Sequence, residues 1–127
     1  MERFLLISAA GAVGTASRYL IGLGAVRFLG DAWPYGTLVV NLVGCFFIAA
    51  IMQVAATSHD FPTTHRLALT TGLMGGLTTY SAFNFETTKL LDDRGPLSAG
   101  LNLGLTVLGC FAMGLLGNLV ARRLTSG

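Results

Sequence analysis

Four long apolar stretches separated by short polar segments set the pattern of this chain. The first runs roughly from Phe4 to Phe28, and its only charges are Arg18 and Arg27. The second, Tyr35 to Thr57, the third, Leu67 to Phe85, and the fourth, Leu97 to Ala121, carry no charge at all. A helix crossing about 30 Å of hydrocarbon needs about 20 residues, and every stretch meets that length within fraying and tilt. The pattern predicts an all-α membrane protein, a single transmembrane domain over residues 1–127 with spans at about 4–28, 35–57, 67–91 and 97–121. Breakers and charges gather in the connections: Gly30-Asp31-Ala32-Trp33-Pro34, Ser58 to Thr64 with Pro62, and Asp92-Asp93-Arg94-Gly95-Pro96. Trp33 and Tyr35 suit an interfacial belt. No cleavable signal peptide is expected, because the first apolar run is span-length and lacks a convincing small-residue cleavage site.

Composition agrees with that pattern and removes some function classes. The chain is 53% hydrophobic and 11% charged, with a formal net charge of +2. A soluble domain usually carries about 25% charged residues, and so small a net charge gives no reason to expect nucleic acid. Cys45 and Cys110 lie inside apolar stretches without a CxxC partner, so both read as small buried hydrophobes. No nucleophile–base or nucleotide-binding constellation is present, so an enzyme is not expected.

The third stretch departs from a regular helix. In Gly72 to Glu86, the centre from Gly75 to Ser81 is a poor membrane helix. Its glycines loosen the backbone, and Thr78, Thr79 and Ser81 compete for backbone hydrogen bonds. Irregular backbone at membrane depth is tolerated only where protein buries it or where it lines a cavity. A break near residues 75–79 is therefore expected to be functional. Helix resuming near Thr78 or Thr79 would present unpaired N–H groups and the positive end of its dipole. Carbonyls freed at Gly75 to Thr78 would suit a small cation, given more oxygens than one short turn supplies.

Charge does not settle an orientation. An even number of spans puts both termini on one side with Arg3, Arg66, Arg122 and Arg123, against Arg27, Lys89 and Arg94 on the other. So slight a bias leaves the positive-inside rule unable to choose a direction. Insertion both ways would permit an antiparallel homodimer, and four helices enclose little room for a private pore.

Polar residues inside the spans form stripes. Thr37, Asn41 and Cys45 share one face of the second span, and Asn102, Thr106, Cys110, Gly114 and Asn118 follow at four-residue spacing on the fourth. Such a stripe is either a packing face, where small residues allow close approach and Asn or Thr bond across, or a pore wall. The pairs Gly11/Gly14 and Gly72/Gly76 read first as packing. Arg18, deep in the first span, either snorkels to the headgroups or places a positive charge at the mouth of an anion pathway. The first, second and fourth spans contain no Asp or Glu, and only Glu86 flanks the apolar part of the third. The embedded inventory of donors and neutral groups favours an anion over a proton or cation as cargo. Tyr80 and Phe83, three residues apart, would present rings to one side, and ring edges are weakly positive.

These residues resemble the Fluc (CrcB) fluoride channels over essentially the whole chain. Four elements carry the likeness: Gly11-Ala-Val-Gly-Thr-Ala-Ser-Arg18-Tyr19; Gly36-Thr-Leu-Val-Val-Asn41-Leu-Val-Gly44; Gly75-Gly-Leu-Thr-Thr-Tyr-Ser-Ala-Phe83; and the Asn102/Thr106/Cys110 stripe. The third is specific and the first is weak alone. The resemblance implies four transmembrane helices with the third broken at mid-membrane, assembled as an antiparallel, dual-topology homodimer in the inner or plasma membrane. It implies two fluoride pores and a central sodium ion held by main-chain carbonyls, here those of Gly75 and Thr78. It places Asn41, Tyr80, Ser81, Phe83, Thr106 and Cys110 on the fluoride pathway and Arg18 in the vestibule. The family motif usually reads Thr-Thr-Phe-Ser-Thr-Phe, whereas this chain has Tyr80 and Ala82. A family hydroxyl on the fourth helix is Cys110 here, a weaker donor.

The implied activity is passive export of cytoplasmic fluoride. Two rivals stand beside it. A small multidrug-type four-helix transporter would carry a carboxylate in its first span, which is missing. A non-transport scaffold would use the polar stripes only to pack helices.

Overall fold

The computed structural model describes residues 1–127, and every regular element is helical. Helices α1 (Glu2–Leu29), α2 (Tyr35–Thr57) and α6 (Pro96–Thr125) are each long and apolar enough to cross a membrane. Two glycines in the left-handed region end helices that L side chains would extend or strain: Gly30 (φ 85°) after α1 and Gly95 (φ 90°) after α5 (Tyr80–Arg94). Pro96 then opens α6, where the missing N–H costs nothing.

The third apolar stretch is not one helix. It begins as α3 (Thr63–Leu67), widens into a π-helical segment, Ala68–Met74, and tightens to a single turn, α4 (Gly75–Leu77). Thr78 (φ −83°, ψ 158°) and Thr79 (φ −153°, ψ 125°) are extended, and α5 starts at Tyr80. The interruption thus spans two residues rather than 75–79, because Gly75–Leu77 retains helical backbone. Within the π segment, the Thr70 hydroxyl bonds back to the Arg66 carbonyl at 2.8 Å, a competition that disturbs a regular ladder.

Glycines set the interhelical distances. A Cβ at Gly72 would lie 2.6 Å from the Ile7 carbonyl oxygen, one at Gly14 would strike the Leu73 backbone, and one at Gly76 the Gly11 carbonyl. Helix α1 therefore lies backbone to backbone against residues 68–77, as the packing reading of these glycines requires. Helices α2 and α6 run in the same direction. Leu42 lies by Gly109, the Phe46 carbonyl by Gly117, and Gln53 accepts from Arg122 Nε at 3.4 Å.

Only 17 of 127 residues are buried, and the small core centres on Val40, Met74 and Leu77. Phe4, Phe28, Phe85, Leu108 and Phe111 are exposed. An apolar surface this extensive suits hydrocarbon rather than water.

Candidate functional site

The break is held by a side chain from another helix. Asn41 Nδ2 donates to the Thr79 carbonyl at 3.0 Å, and the Thr79 N–H donates to Asn41 Oδ1 at 2.9 Å. Both main-chain groups of Thr79 are thereby satisfied away from water, which a buried irregular segment requires. Thr79 also caps α5, its hydroxyl accepting from the Ala82 N–H at 3.2 Å. These bonds have a consequence for two carbonyls. In a continuous helix the N–H of Thr79 would bond the Gly75 carbonyl and that of Ala82 the Thr78 carbonyl. Both donors are diverted to side-chain oxygens, so the Gly75 and Thr78 oxygens lose their helical partners together. Gly75 is also exposed.

Beside the break lies a groove of about 890 Å³ between α2, the π segment, the start of α5 and α6. Asn41 and Cys45 reach it from α2, Gly75 from α4, Thr78 from the interruption, Tyr80 and Phe83 from α5, and Thr106 and Cys110 from α6. Gly44 lets α2 come this close, since a Cβ there would collide with the Thr78 methyl. The Tyr80 and Phe83 rings meet edge to face, 5.8 Å between centroids and 70° between planes. Phe83 is 5% exposed and Tyr80 81%, so the tyrosine edge is the open one. Asn41 keeps a second N–H beyond the one given to Thr79.

Seven of the nine residues expected at the pathway, vestibule or cation site thus line one groove. Ser81 and Arg18 do not. Ser81 is exposed beside the cap, 3.4 Å from the Thr79 hydroxyl. Arg18 is half-buried on α1 and lines neither this groove nor the second cavity.

The polar stripe of α6 divides along its length. Asn102 is buried and donates to the Thr87 hydroxyl at 2.8 Å, which in turn donates to the Phe83 carbonyl at 2.7 Å. That end is packing. Thr106 and Cys110 face the groove, and the tightest contact on α2 falls at Gly117, outside the stripe. On α2, Thr37 donates to Glu86 Oε1 at 2.8 Å, while Glu86 Oε2 is buried without a partner. These two residues, with Lys89, Asp93 and Arg94, line the second cavity, of about 330 Å³, near the α1–α2 connection.

Sequence reasoning missed Met52, Met74, Thr70 and Thr71 as groove residues. No local signal marks Thr70, Thr71 and Met74, because the widened π turn alters which residues share a face, whereas Met52 continues the Asn41 and Cys45 face of α2. Thr79 was legible as a polar interruption, but not as the residue Asn41 grips.

Chemically, the groove offers amide and hydroxyl donors, ring edges and unpartnered carbonyls, with no carboxylate on its wall. Residues 5–118 match the family described as CrcB-like protein, Camphor Resistance (CrcB). A fluoride-specific ion channel FluC of Sorangium cellulosum is 43% identical over 127 residues, all of both chains. That of Citrifermentans bemidjiense is 42% identical over 124 residues, 98% of this chain and 100% of its own. That of Anaeromyxobacter dehalogenans is 43% identical over 122 residues, 96% of this chain and 97% of its own.

Proposed function

This chain belongs to the CrcB-like family, and from that premise we propose that it is a fluoride-selective channel exporting cytoplasmic fluoride passively. It is a multi-pass protein of the plasma membrane. The observation that carries the reading is the groove itself: weak positive edges and neutral donors converge there, and no carboxylate does. Fluoride is small and strongly hydrated, so it needs closely placed donors in exchange for water. The second N–H of Asn41, the hydroxyls of Tyr80 and Thr106, and the Cys110 thiol offer them in turn, and the edge of Phe83 borders the path. Ser81 would act at the start of α5. Arg18 would act through its field at a vestibule rather than by contact.

The driving force needs no coupled ion. Neutral HF crosses lipid from acidic surroundings and ionises inside, and an inside-negative potential favours the anion's exit by about 2.3 kcal/mol per 100 mV. The proposal includes no catalytic step.

The cation site belongs to the same reading. The Gly75 and Thr78 carbonyls, deprived of helical donors by Asn41 and Thr79, fit a small hard cation such as sodium, which favours oxygen ligands. One such turn supplies too few oxygens, which supports a symmetric arrangement with a second copy. The open side of the groove and the balanced basic residues support an antiparallel, dual-topology homodimer with the break at mid-membrane.

Fluoride efflux from liposomes holding the purified protein, with chloride as control, tests the function. Fluoride flux well above chloride flux is expected; equal or absent flux overturns the reading. Proton-coupled uptake of an organic substrate would instead favour a small multidrug-type transporter. Assembly without flux would favour a scaffold.

A further inference from the structure

Cys45 and Cys110 are 65 positions apart in sequence, and each lies in the middle of an apolar helix. The fold brings them together. Both are free thiols, both are half-buried rather than sealed, and both line the groove. They reach it from two helices that pack on each other, Cys45 from α2 and Cys110 from α6. The parallel packing of α2 on α6 fixes this register: Leu42 touches the Gly109 position and the Cys45 carbonyl the Gly114 position, which bracket Cys110. The same groove also takes Met52 and Met74. The chain has four methionines and two cysteines, so most of its sulfur lines this one groove. Thiolate and thioether ligands together select soft cations and leave hard ones to oxygen donors.

We propose that Cys45 and Cys110 form a binding site for a soft monovalent cation of the Ag+ or Cu+ type, with Met74 or Met52 as auxiliary thioether, and that its occupancy blocks the groove. This goes beyond the export reading, and its blocking half rests on it. Two coordinating thiols each release a proton to water. One monovalent cation held by two thiolates leaves a site with one net negative charge where two neutral thiols stood. That charge lies in the groove that Asn41, Tyr80 and Thr106 also line. It repels an anion there, where surrounding apolar groups screen it poorly. The effect is separate from any narrowing by the ion. The hard-cation site at the Gly75 and Thr78 carbonyls is a different ligand class and does not compete.

Silver binding to the purified, assembled protein in chloride-free nitrate buffer tests the site directly, and fluoride efflux from liposomes at graded Ag+ tests the block. One silver ion per chain and loss of efflux are expected. Cys45→Ser and Cys110→Ser, each compared with its own silver-free flux, should raise the half-blocking Ag+ concentration at least as much as loss of an outer-shell partner, roughly 10–100-fold. Met74→Leu should shift it less. Two silver ions bound independently, one per thiol, would overturn the shared site, as would block unchanged in both serine variants. If the protein carries no fluoride flux at all, the export reading fails while the binding stoichiometry still decides the site.

Discussion

Asn41 and Thr79 exchange two hydrogen bonds across helices, the amide giving to the carbonyl at 3.0 Å and accepting from the N–H at 2.9 Å. The pair does for a helix break what a neighbouring turn does for a continuous helix. It satisfies the main chain of Thr79 and fixes the place of the break on α2. It also diverts the N–H that would otherwise close on the Gly75 carbonyl. One side chain therefore bears both on the anion groove and on the carbonyls offered to a cation.

Asn41→Leu removes both bonds and takes the partners from the part-buried N–H and carbonyl of Thr79. Each orphan costs about 1–3 kcal/mol, so a marked fall in thermal midpoint in detergent is expected. Fluoride efflux should fall with it, because the freed Thr79 N–H can return to Gly75. Asn41→Asp keeps the acceptor but puts a charged carboxylate in the groove, so it should fold better than the leucine variant and still conduct poorly. Wild-type efflux from either variant would remove Asn41 from the path.

Gly44 is the second point at which α2 meets the break. A methyl group there collides with the Thr78 side chain, while a Cβ at Gly24 of α1 meets nothing within 4 Å. Gly44→Ala should therefore destabilise by the typical overpacking cost of about 1–3 kcal/mol and displace Thr78. Gly24→Ala should be neutral or stabilising by up to about 1 kcal/mol, since alanine is the better helix former. Thermal unfolding of the two variants side by side checks the contrast. Equal shifts would mean that α2 and the break do not pack as closely as this geometry requires.

Much of this arrangement is legible in the sequence because it rests on composition and local chemistry. The bounds of α2, the run of α6 and the interruption near Thr78 and Thr79 follow from apolar length, Gly95-Pro96 and adjacent threonines. The π-helical widening at Ala68–Met74 does not follow, because nothing in Ala-Leu-Thr-Thr-Gly-Leu-Met forbids a regular helix. It coincides with the Thr70 hydroxyl bonding back to Arg66 and with the close seating of Gly72 and Gly76 on α1, and Met74 and Thr70 of this segment line the groove. The meeting of the two cysteines is hidden for a related reason. An apolar flank argues for burial, but only the α2–α6 register decides that two thiols face one cavity. The four-residue stripe on α6 could not show that Asn102 packs on Thr87 while Thr106 and Cys110 face the groove.

Thr79→Val separates the cap from the clamp. Valine loses the hydroxyl that accepts from Ala82, at a cost of about 1 kcal/mol, while the main-chain bonds to Asn41 remain. The released Ala82 N–H can then return to the Thr78 carbonyl and compete with a cation there. Efflux from Thr79→Val should need more sodium than wild type when sodium is replaced stepwise by a large organic cation, and Thr79→Ser should restore the wild-type dependence. An identical sodium dependence in all three proteins would detach the Thr78 carbonyl from any cation site.

Phe83 and Tyr80 differ in what holds them, and their variants should differ accordingly. Phe83 is buried against the groove in an edge-to-face pair with Tyr80, and its carbonyl anchors the Thr87–Asn102 chain through the main chain alone. Phe83→Ile keeps that anchor and most of the apolar volume but removes the ring edge. Efflux should be suppressed while the assembly, read by size-exclusion chromatography, persists. Tyr80 is exposed and contributes a hydroxyl that no hydrogen bond within the chain engages. Tyr80→Phe should therefore leave stability within about 0.5 kcal/mol of wild type, as surface changes do, and keep fluoride selectivity over chloride. A loss of efflux in Tyr80→Phe equal to that in Phe83→Ile would mean that the hydroxyl, and not the ring edge, carries the anion past this point.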